Sequence, residues 1–257
     1  MVLIQNLSIL LERFLKEYKM EKTVSDAIEF RRSVRKFDPK KDLDIDIVKK
    51  CIINATLAPT SSNLQLWEFY HITDKNLLGK ISECCFGQPA AKTAKQIVVT
   101  VVRKDLWKNR ANDNLNFFKS KKDSLSEKQF NLTKRYYKKV IPFVYKDFFG
   151  ILSLSKYLFA YIVGFFRVMY RQLNRSDSRI IAHKSAALAS QNFMISMAGY
   201  SYDTCPMEGF DSVKVKRILN LNSKSEINMI IGCGIRLEEG VYGERFRIPF
   251  EKVYYKR

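Results

Sequence analysis

The sequence predicts an α+β domain in which helices pack on both faces of a mixed β-sheet. Two β-branched runs, residues 96–102 and 227–235, are apolar almost throughout, as buried strands are. Segments with apolar residues at helical spacing alternate with these strands. The chain has 257 residues, of which 46% are apolar, and this suffices for a single large domain, 1–257, with a sizeable core.

The N-terminal segment, residues 1–20, predicts an amphipathic helix. Apolar residues recur there at helical spacing, from Leu3 and Leu7 to Leu15 and Tyr18. The segment has neither the basic start nor the uninterrupted apolar stretch of a secretory signal. We therefore expect a helix that docks on the core or on a partner subunit.

The region from residue 23 to residue 103 predicts three helices and two strands. Asp44 is a suitable N-cap for the second helix, which stops at Ala58 and Pro59. Gly87 and Pro89 end the helical pattern of the third helix before the second strand begins. In order, the predicted elements are a helix at 23–35, a helix at 44–57, a strand at 67–72, a helix at 74–84 and a strand at 96–102.

The region after residue 183 predicts a buried helix and a further strand. Residues 184–200 are rich in Ala, Ser and Met and are apolar on nearly all sides, which is typical of a helix in the middle of a domain. Gly199 ends this helix. A loop at 202–211, a short helix at 212–219, the strand at 227–235 and an extended tail at 240–257 follow.

Residues 104–183 differ in character and predict a helical insertion. Its first part, 104–147, holds twelve Lys and Arg against five Asp and Glu. The following stretch, 148–170, is strongly apolar, and Lys156 and Arg167 interrupt it. These cations argue against a membrane span. A helical lid, a dimer-packing element and a peripheral membrane contact remain open interpretations.

Composition narrows the class of protein. The 45 Lys and Arg exceed the 26 Asp and Glu and give a net charge of +19, which indicates anionic partners: nucleic acid, phospholipid or a phosphorylated cofactor. The basic residues are spread along the chain without a nucleic-acid-binding motif, which disfavours nucleic acid. Five cysteines without paired spacing suggest free thiols and a cytoplasmic protein. Neither of the two histidines lies in a metal-binding pattern, so we expect no metal site.

Two arginine-rich motifs are candidates for anion binding. Residues 31–35 read Arg-Arg-Ser-Val-Arg, and residues 245–249 read Arg-Phe-Arg-Ile-Pro. Guanidinium groups suit phosphate oxygens, and alternate residues of an extended tail point the same way. Each motif alone is equally compatible with a solvated charge run.

Two further motifs offer uncharged polar groups on loops. Residues 58–67 combine hydroxyls and amides just before an aromatic strand, which suits recognition of a heterocycle edge. In residues 205–211, Pro and Gly shape an open turn whose backbone N–H groups can face a ligand. An ordinary capped loop and a plain connecting turn explain these motifs as well.

In this order and at these separations, the four motifs resemble those of the nitroreductase family of flavin-dependent oxidoreductases. The matching patterns are R-R-S-x-R-x-F at 31–37, A-P-[ST]-S-x-N-x-Q-x-W at 58–67, C-P-M-x-G-F-D at 205–211 and R-x-R-x-P at 245–249. The resemblance covers 25–103 and 184–257. It implies a three-layer sandwich whose mixed, mainly antiparallel sheet is flanked by helices, and a homodimer with FMN sites at its interface.

The resemblance also implies a role for individual residues. The first motif would hold the FMN phosphate and ribityl chain, and a cation near the flavin's N1/C2 edge would stabilise the reduced, anionic ring. These residues are Arg31, Arg32, Ser33 and, for the ring edge, Arg35. Arg245 and Arg247 would return to the phosphate, and Gln88 would touch the pyrimidine edge.

The two loop motifs would face the flavin from different subunits. Pro59, Thr60, Ser61 and Asn63 would approach from the partner subunit. Pro206, Met207, Glu208 and Gly209 would line one face of the ring, with a backbone N–H of Glu208 or Gly209 directed at N5. No side chain is assigned a catalytic role, because the cofactor carries the chemistry.

The implied reaction is a two-step transfer of electrons from NADH or NADPH through FMN to a small-molecule acceptor such as a nitroaromatic or a quinone. Two features depart from the family pattern: Leu66 replaces the proline common before the tryptophan, and the insertion is large and basic. Substrate preference usually lies in such loops. A more specialised reduction such as dehalogenation, and a membrane- or anion-binding protein on a flavin fold, therefore remain alternatives.

Overall fold

The computed structural model describes residues 21–146 and 151–257, so the helix predicted at positions 1–20 lies outside the described part. Four strands form one sheet in the order β1-β2-β4-β3, and each neighbouring pair is antiparallel. The strands are β1 (Trp67–Ile72), β2 (Gln96–Val102), β3 (Asp203–Met207) and β4 (Glu226–Gly234).

The helices cover both faces of this sheet. In chain order they are α1 (Val24–Phe30), α2 (Ile45–Ala55), α3 (Lys75–Cys84), α4 (Pro89–Lys92), α5 (Trp107–Ser120), α6 (Glu127–Arg135), α7 (Ile141–Tyr145), α8 (Ile151–Val163), α9 (Arg175–Gly199) and α10 (Ser212–Ile218). A π-helical turn, Tyr136–Val140, joins α6 to α7.

The central strand β2 explains the three layers. All seven of its residues are buried, and successive side chains point to opposite faces. Val98 packs in a core with α2 and α9, whereas Val99 packs in a core with α3, α4 and α10. The sheet thus lies between two layers of helices, as the predicted three-layer sandwich requires.

Two helices begin at the residues where the sequence predicted their starts. The Asp44 carboxylate accepts a hydrogen bond from the backbone N–H of Asp46 at 2.8 Å and begins α2. Asp74 begins α3 in the same way, through the N–H of Leu77 at 2.8 Å. Both buried runs that predicted strands form β2 and β4.

Three predictions of elements were wrong. The helix predicted at 23–35 ends at Phe30, and residues 31–37 are extended. The loop predicted at 202–211 begins with β3. The helix predicted from Lys184 begins at Arg175, because the backbone N–H of Asn174 donates to the Asp177 carboxylate at 2.9 Å and closes its first turn.

The insertion packs against one end of the sheet in a third core. Helix α5, the π-helical turn and α7 contribute Leu115, Tyr137 and Ile141, which pack with Trp67 of β1 and Ala186 of α9. Within the described residues, no helix is both long enough and apolar enough to cross a membrane.

Candidate functional site

The first arginine motif lies along the edge of the sheet. Ser33 forms a parallel bridge with Thr204 of β3, and Phe37 forms an antiparallel bridge with Arg236 after β4. Val34 and Phe37 are fully buried. These two residues anchor the segment in the core, and the motif's three arginines are half-buried beside them.

The C-terminal tail returns to this segment. One guanidinium nitrogen of Arg245 donates to the carbonyls of Glu29 at 2.6 Å and Arg31 at 2.8 Å. These carbonyls lie at the end of α1, where a cation is favourable. Arg32 donates to the Gly243 carbonyl at 3.0 Å. The two arginine motifs, one before the sheet and one in the C-terminal tail, therefore form one site.

Together they line a cavity of about 260 Å³. Five arginines line it, and Glu244 is the one acidic residue among the described residues of its lining. Among the residues the structure describes, none of these five arginines forms an ion pair with a carboxylate, whereas arginines elsewhere do, as Arg103 does with Glu68 at 2.6 Å. The five are Arg31, Arg32, Arg35, Arg245 and Arg247.

The electrostatics of the cavity favour an anion. The pKa of Arg31 lies below its usual value because of partial burial and, next, because of repulsion from Arg245, Arg247 and Arg32. A bound anion relieves this repulsion. Guanidinium groups that have no carboxylate partner among the described residues, on a partly enclosed surface, suit the oxygens of a phosphate.

The Cys205–Asp211 motif adjoins the arginine cavity through Arg35. The Arg35 guanidinium donates to Cys205 Sγ at 3.5 Å. Burial raises the pKa of this thiol, and the nearby guanidinium only partly offsets the effect, so Cys205 is a neutral core residue. Arg35, which the resemblance implies to lie near the flavin's ring edge, lies beside β3 in this structure.

Gln88, for which the resemblance implies a contact with the flavin's pyrimidine edge, lies beside the turn that follows β3. Its side-chain amide donates to the Gly209 carbonyl at 2.7 Å. A Cβ added to Gly209 would lie 3.4 Å from that amide nitrogen, so the absence of a side chain leaves the turn open. Glu208 is exposed, whereas the Met207 side chain is buried in the core, so only the backbone of Met207 can face a ligand.

The loop at residues 58–67 lies elsewhere. Ser62, Asn63 and Gln65 have φ values of 55°, 51° and 47°, a conformation that is costly for residues other than glycine. The insertion holds this strained loop. The Asn63 amide donates to the Asn114 side chain at 2.7 Å, Asn114 donates back to the Asn63 carbonyl at 2.8 Å, and Tyr137 donates to the Ser62 carbonyl at 3.1 Å.

This loop borders a second cavity of about 390 Å³. No residue that the structure describes lines both this cavity and the arginine cavity. Within one chain, the predicted site residues therefore fall into two groups: the arginines with Gln88 and 206–209, and the loop. The second cavity is lined by Pro59, Thr60, Ser61, Tyr170, Gln172, Ile181, Lys184, Ser185 and Leu188.

Sequence reasoning missed several residues that support the site. Arg236 pairs with Asp203 at 2.5 Å and donates to the Phe30 carbonyl at 3.0 Å, which fixes the end of α1. Gly240 accepts a hydrogen bond from the Arg35 N–H at 2.6 Å, and a Cβ there would overlap the Lys36 carbonyl. No local pattern marks these long-range contacts.

Comparison with known proteins assigns the family. A profile of the Nitroreductase family matches residues 28–235. Protein DrgA of Synechocystis is 29% identical over 224 residues, which cover 87% of this chain and 89% of DrgA. SERP2086 of Staphylococcus epidermidis is provisionally named an NAD(P)H nitroreductase. It is 25% identical over 232 residues, which cover 88% of this chain and 93% of SERP2086.

Solved structures share the fold. The provisionally named nitroreductase YdfN of Bacillus subtilis has a TM-score of 0.72 at 21% identity, and the match covers 91% of this chain and 98% of that one. A provisionally named nitroreductase of Exiguobacterium sibiricum, solved in complex with FMN, has a TM-score of 0.65 at 16% identity. The match covers 92% of this chain and 98% of that one. The chain therefore belongs to the nitroreductase family of oxidoreductases.

Proposed function

We propose that this protein is an FMN-dependent oxidoreductase that passes electrons from NADH or NADPH to an organic acceptor such as a nitroaromatic or a quinone. The observation that carries the proposal is the cavity of five arginines without carboxylate partners among the described residues, next to the open turn at 206–209. The names of the relatives and the FMN-bound neighbour support the same cofactors.

The residues present fit FMN. Arg31, Arg32, Arg245 and Arg247 would hold its phosphate, and the Ser33 hydroxyl can donate a further hydrogen bond there. Bound at this site, FMN would supply reversible hydride acceptance, so that electron donor and acceptor can use one site in turn. The protein's part is to bind and orient.

Three further groups would act on the ring. The Arg35 guanidinium, held by Cys205, would place a positive charge at the ring edge and stabilise negative charge there. The Gln88 amide fixes the turn at Gly209, so that the backbone N–H groups of Glu208 and Gly209 keep their direction. Because no side chain has to transfer a proton in this scheme, we assign no catalytic residue.

The phosphate assignment predicts selective binding of FMN over riboflavin, which lacks the phosphate. Arg31→Ala with Arg247→Ala should weaken FMN binding about 100-fold or more, since each hydrogen bond to a charged group contributes about 1.5–3 kcal/mol. Riboflavin binding should stay the same. Fluorescence titration of the apoprotein with each flavin measures both affinities.

A matched control removes two arginines from exposed helix positions, Arg135→Ala and Arg217→Ala, and should leave both affinities unchanged. If the Arg31 and Arg247 variant loses FMN and riboflavin equally, these arginines do not bind the phosphate. The activity could then still be flavin-dependent, with the phosphate held elsewhere.

We further infer that the loop at residues 59–63 completes the FMN site of a partner subunit in a homodimer. The division of the predicted site residues between two cavities supports this arrangement, because no described residue lines both of them. A hybrid dimer tests it. One subunit carries Arg31→Ala and Arg247→Ala, and the other carries Thr60→Ala and Ser61→Ala.

In that hybrid, one of the two sites should hold both defects and the other should be intact. FMN should therefore fill about half of the sites with normal affinity, whereas each parent homodimer binds weakly. If the hybrid shows no site of normal affinity, the loop and the arginines of the same chain act together.

A further inference from the structure

Residues 151–168, which we term the apolar arm, expose large apolar side chains to solvent. The arm consists of α8 and the turn after it. Phe165 and Phe166 are 69% and 87% exposed, and Ile162 is 60% exposed. Soluble proteins rarely leave so many neighbouring apolar groups uncovered. The exposed large apolar residues are Ile151, Leu152, Leu154, Leu158, Phe159, Tyr161, Ile162, Phe165, Phe166 and Val168.

The arm is continuous with a strongly basic surface. From residue 128 to residue 174 the sequence holds nine Lys and Arg and one Asp. Lys156 of α8 donates to the Lys146 carbonyl and lies 5.4 Å from the Phe143 ring, which joins α8 to α7. Lys138, Lys139 and Lys146, on the adjoining segment, are exposed.

The other end of the arm also holds a cation. Arg171 donates to the Gly164 carbonyl at 2.6 Å, and its guanidinium lies 5.5 Å from the Tyr161 ring. Arg167 is exposed between Phe166 and Val168. Cations thus flank and interrupt the apolar side chains.

We propose that the apolar arm is a docking surface for an anionic lipid membrane. Lysine and arginine attract phospholipid headgroups, while Phe, Leu and Ile enter the boundary of the acyl chains. Pairing of this arm with the same arm of a second copy suits the surface less well, because it would bring the same flanking cations together. The charge therefore favours the membrane as the partner.

The length of α8 indicates how the arm binds. Its 13 residues span about 20 Å at 1.5 Å per residue, less than the roughly 30 Å of a hydrocarbon core. The helix is thus suited to lie in the interface. Tyr170 and Gln172 follow the arm directly and line the 390 Å³ cavity together with Thr60. The arm thus ends beside the loop that we assign to the dimer interface, and docking itself requires no flavin.

Sedimentation with vesicles tests the docking surface. The full protein should bind vesicles of phosphatidylcholine with about 30% phosphatidylglycerol, should bind pure phosphatidylcholine much less, and should be released by salt. Phe165→Ser with Phe166→Ser should lower the partition coefficient about tenfold or more. Lys139→Gln, Lys146→Gln and Arg167→Gln together should lower it roughly fivefold per cation.

Matched controls use exposed residues outside the insertion. Phe250→Ser with Tyr255→Ser removes two exposed aromatic side chains from the C-terminal segment. Lys40→Gln, Lys49→Gln and Lys80→Gln remove three exposed cations. Neither control should change the partition coefficient by more than about twofold, since these residues lie outside the proposed contact and salt screens the remaining long-range attraction.

Two results would overturn the proposal. One is that the wild-type protein fails to bind anionic vesicles at low salt, or that the control variants lose binding as much as the arm variants. The other is that Phe165→Ser with Phe166→Ser leaves vesicle binding unchanged but lowers the solution mass in light scattering. The arm would then join copies of the chain.

Discussion

Replacing Asn114 with alanine should destabilise the protein through the strained loop at residues 61–65. Asn114 is 8% exposed on α5. Its side chain donates to the Asn63 carbonyl at 2.8 Å and accepts hydrogen bonds from the Asn63 amide at 2.7 Å and the Tyr137 hydroxyl at 3.3 Å. At about 1 kcal/mol for each bond lost, Asn114→Ala should cost about 2–4 kcal/mol.

The exposed Asn112 on the same helix supplies the control, because Asn112→Ala should change stability by less than about 0.5 kcal/mol. Urea unfolding measures both variants. The strained φ values of the loop depend on the bonds from Asn114, so the loop should relax in Asn114→Ala, and FMN binding should weaken as well. Equal unfolding midpoints for the two variants would refute the view that the insertion holds the loop.

Two more predictions concern the sheet edge and the pH dependence of stability. Gly240→Ala should destabilise the protein by about 2 kcal/mol or more, because a methyl group there overlaps the Lys36 carbonyl. Gly199→Ala, which has open space around it at the end of α9, should be neutral or stabilising. Thermal unfolding compares the two variants, and equal unfolding temperatures would contradict the packing argument. Although burial acts to raise the pKa of Glu226, hydrogen bonds from Arg179 and His183 lower it below the usual value. The stability that Glu226 contributes is thus present above its unfolded pKa and is lost as pH falls through the lower folded pKa. In Glu226→Gln, the free energy of unfolding should therefore fall less steeply as the pH is lowered. An unchanged pH dependence would show that Glu226 contributes nothing to it.

The parts of the fold that follow from local sequence were predictable. The buried strands are continuous β-branched runs, and the starts of α2 and α3 follow from the capping carboxylates Asp44 and Asp74. The end of α1 was not predictable in this way. The apolar spacing continues past Phe30, and only the pairing of Ser33 with Thr204, in a strand much later in the chain, draws the segment into an extended form.

The strand β3 was missed for a related reason. Pro206 and the nearby Gly209 are typical of a loop, but proline is tolerated in a strand near the sheet edge. The motifs identified the arginines, and both arginine motifs line one cavity, a convergence that only the family resemblance implied. The strained loop conformation depends on Asn114 and Tyr137 in the insertion, which no local pattern connects to residues 58–67.

The visible absorption spectrum of the purified protein, followed by anaerobic titration with NADH and then NADPH, tests the central proposal most directly. We expect a yellow protein, as isolated or after incubation with FMN, whose flavin absorption bleaches with one of the two nucleotides and returns when a quinone or nitroaromatic is added. A protein that stays colourless after incubation with FMN would contradict the assignment of the arginine cavity as a flavin site.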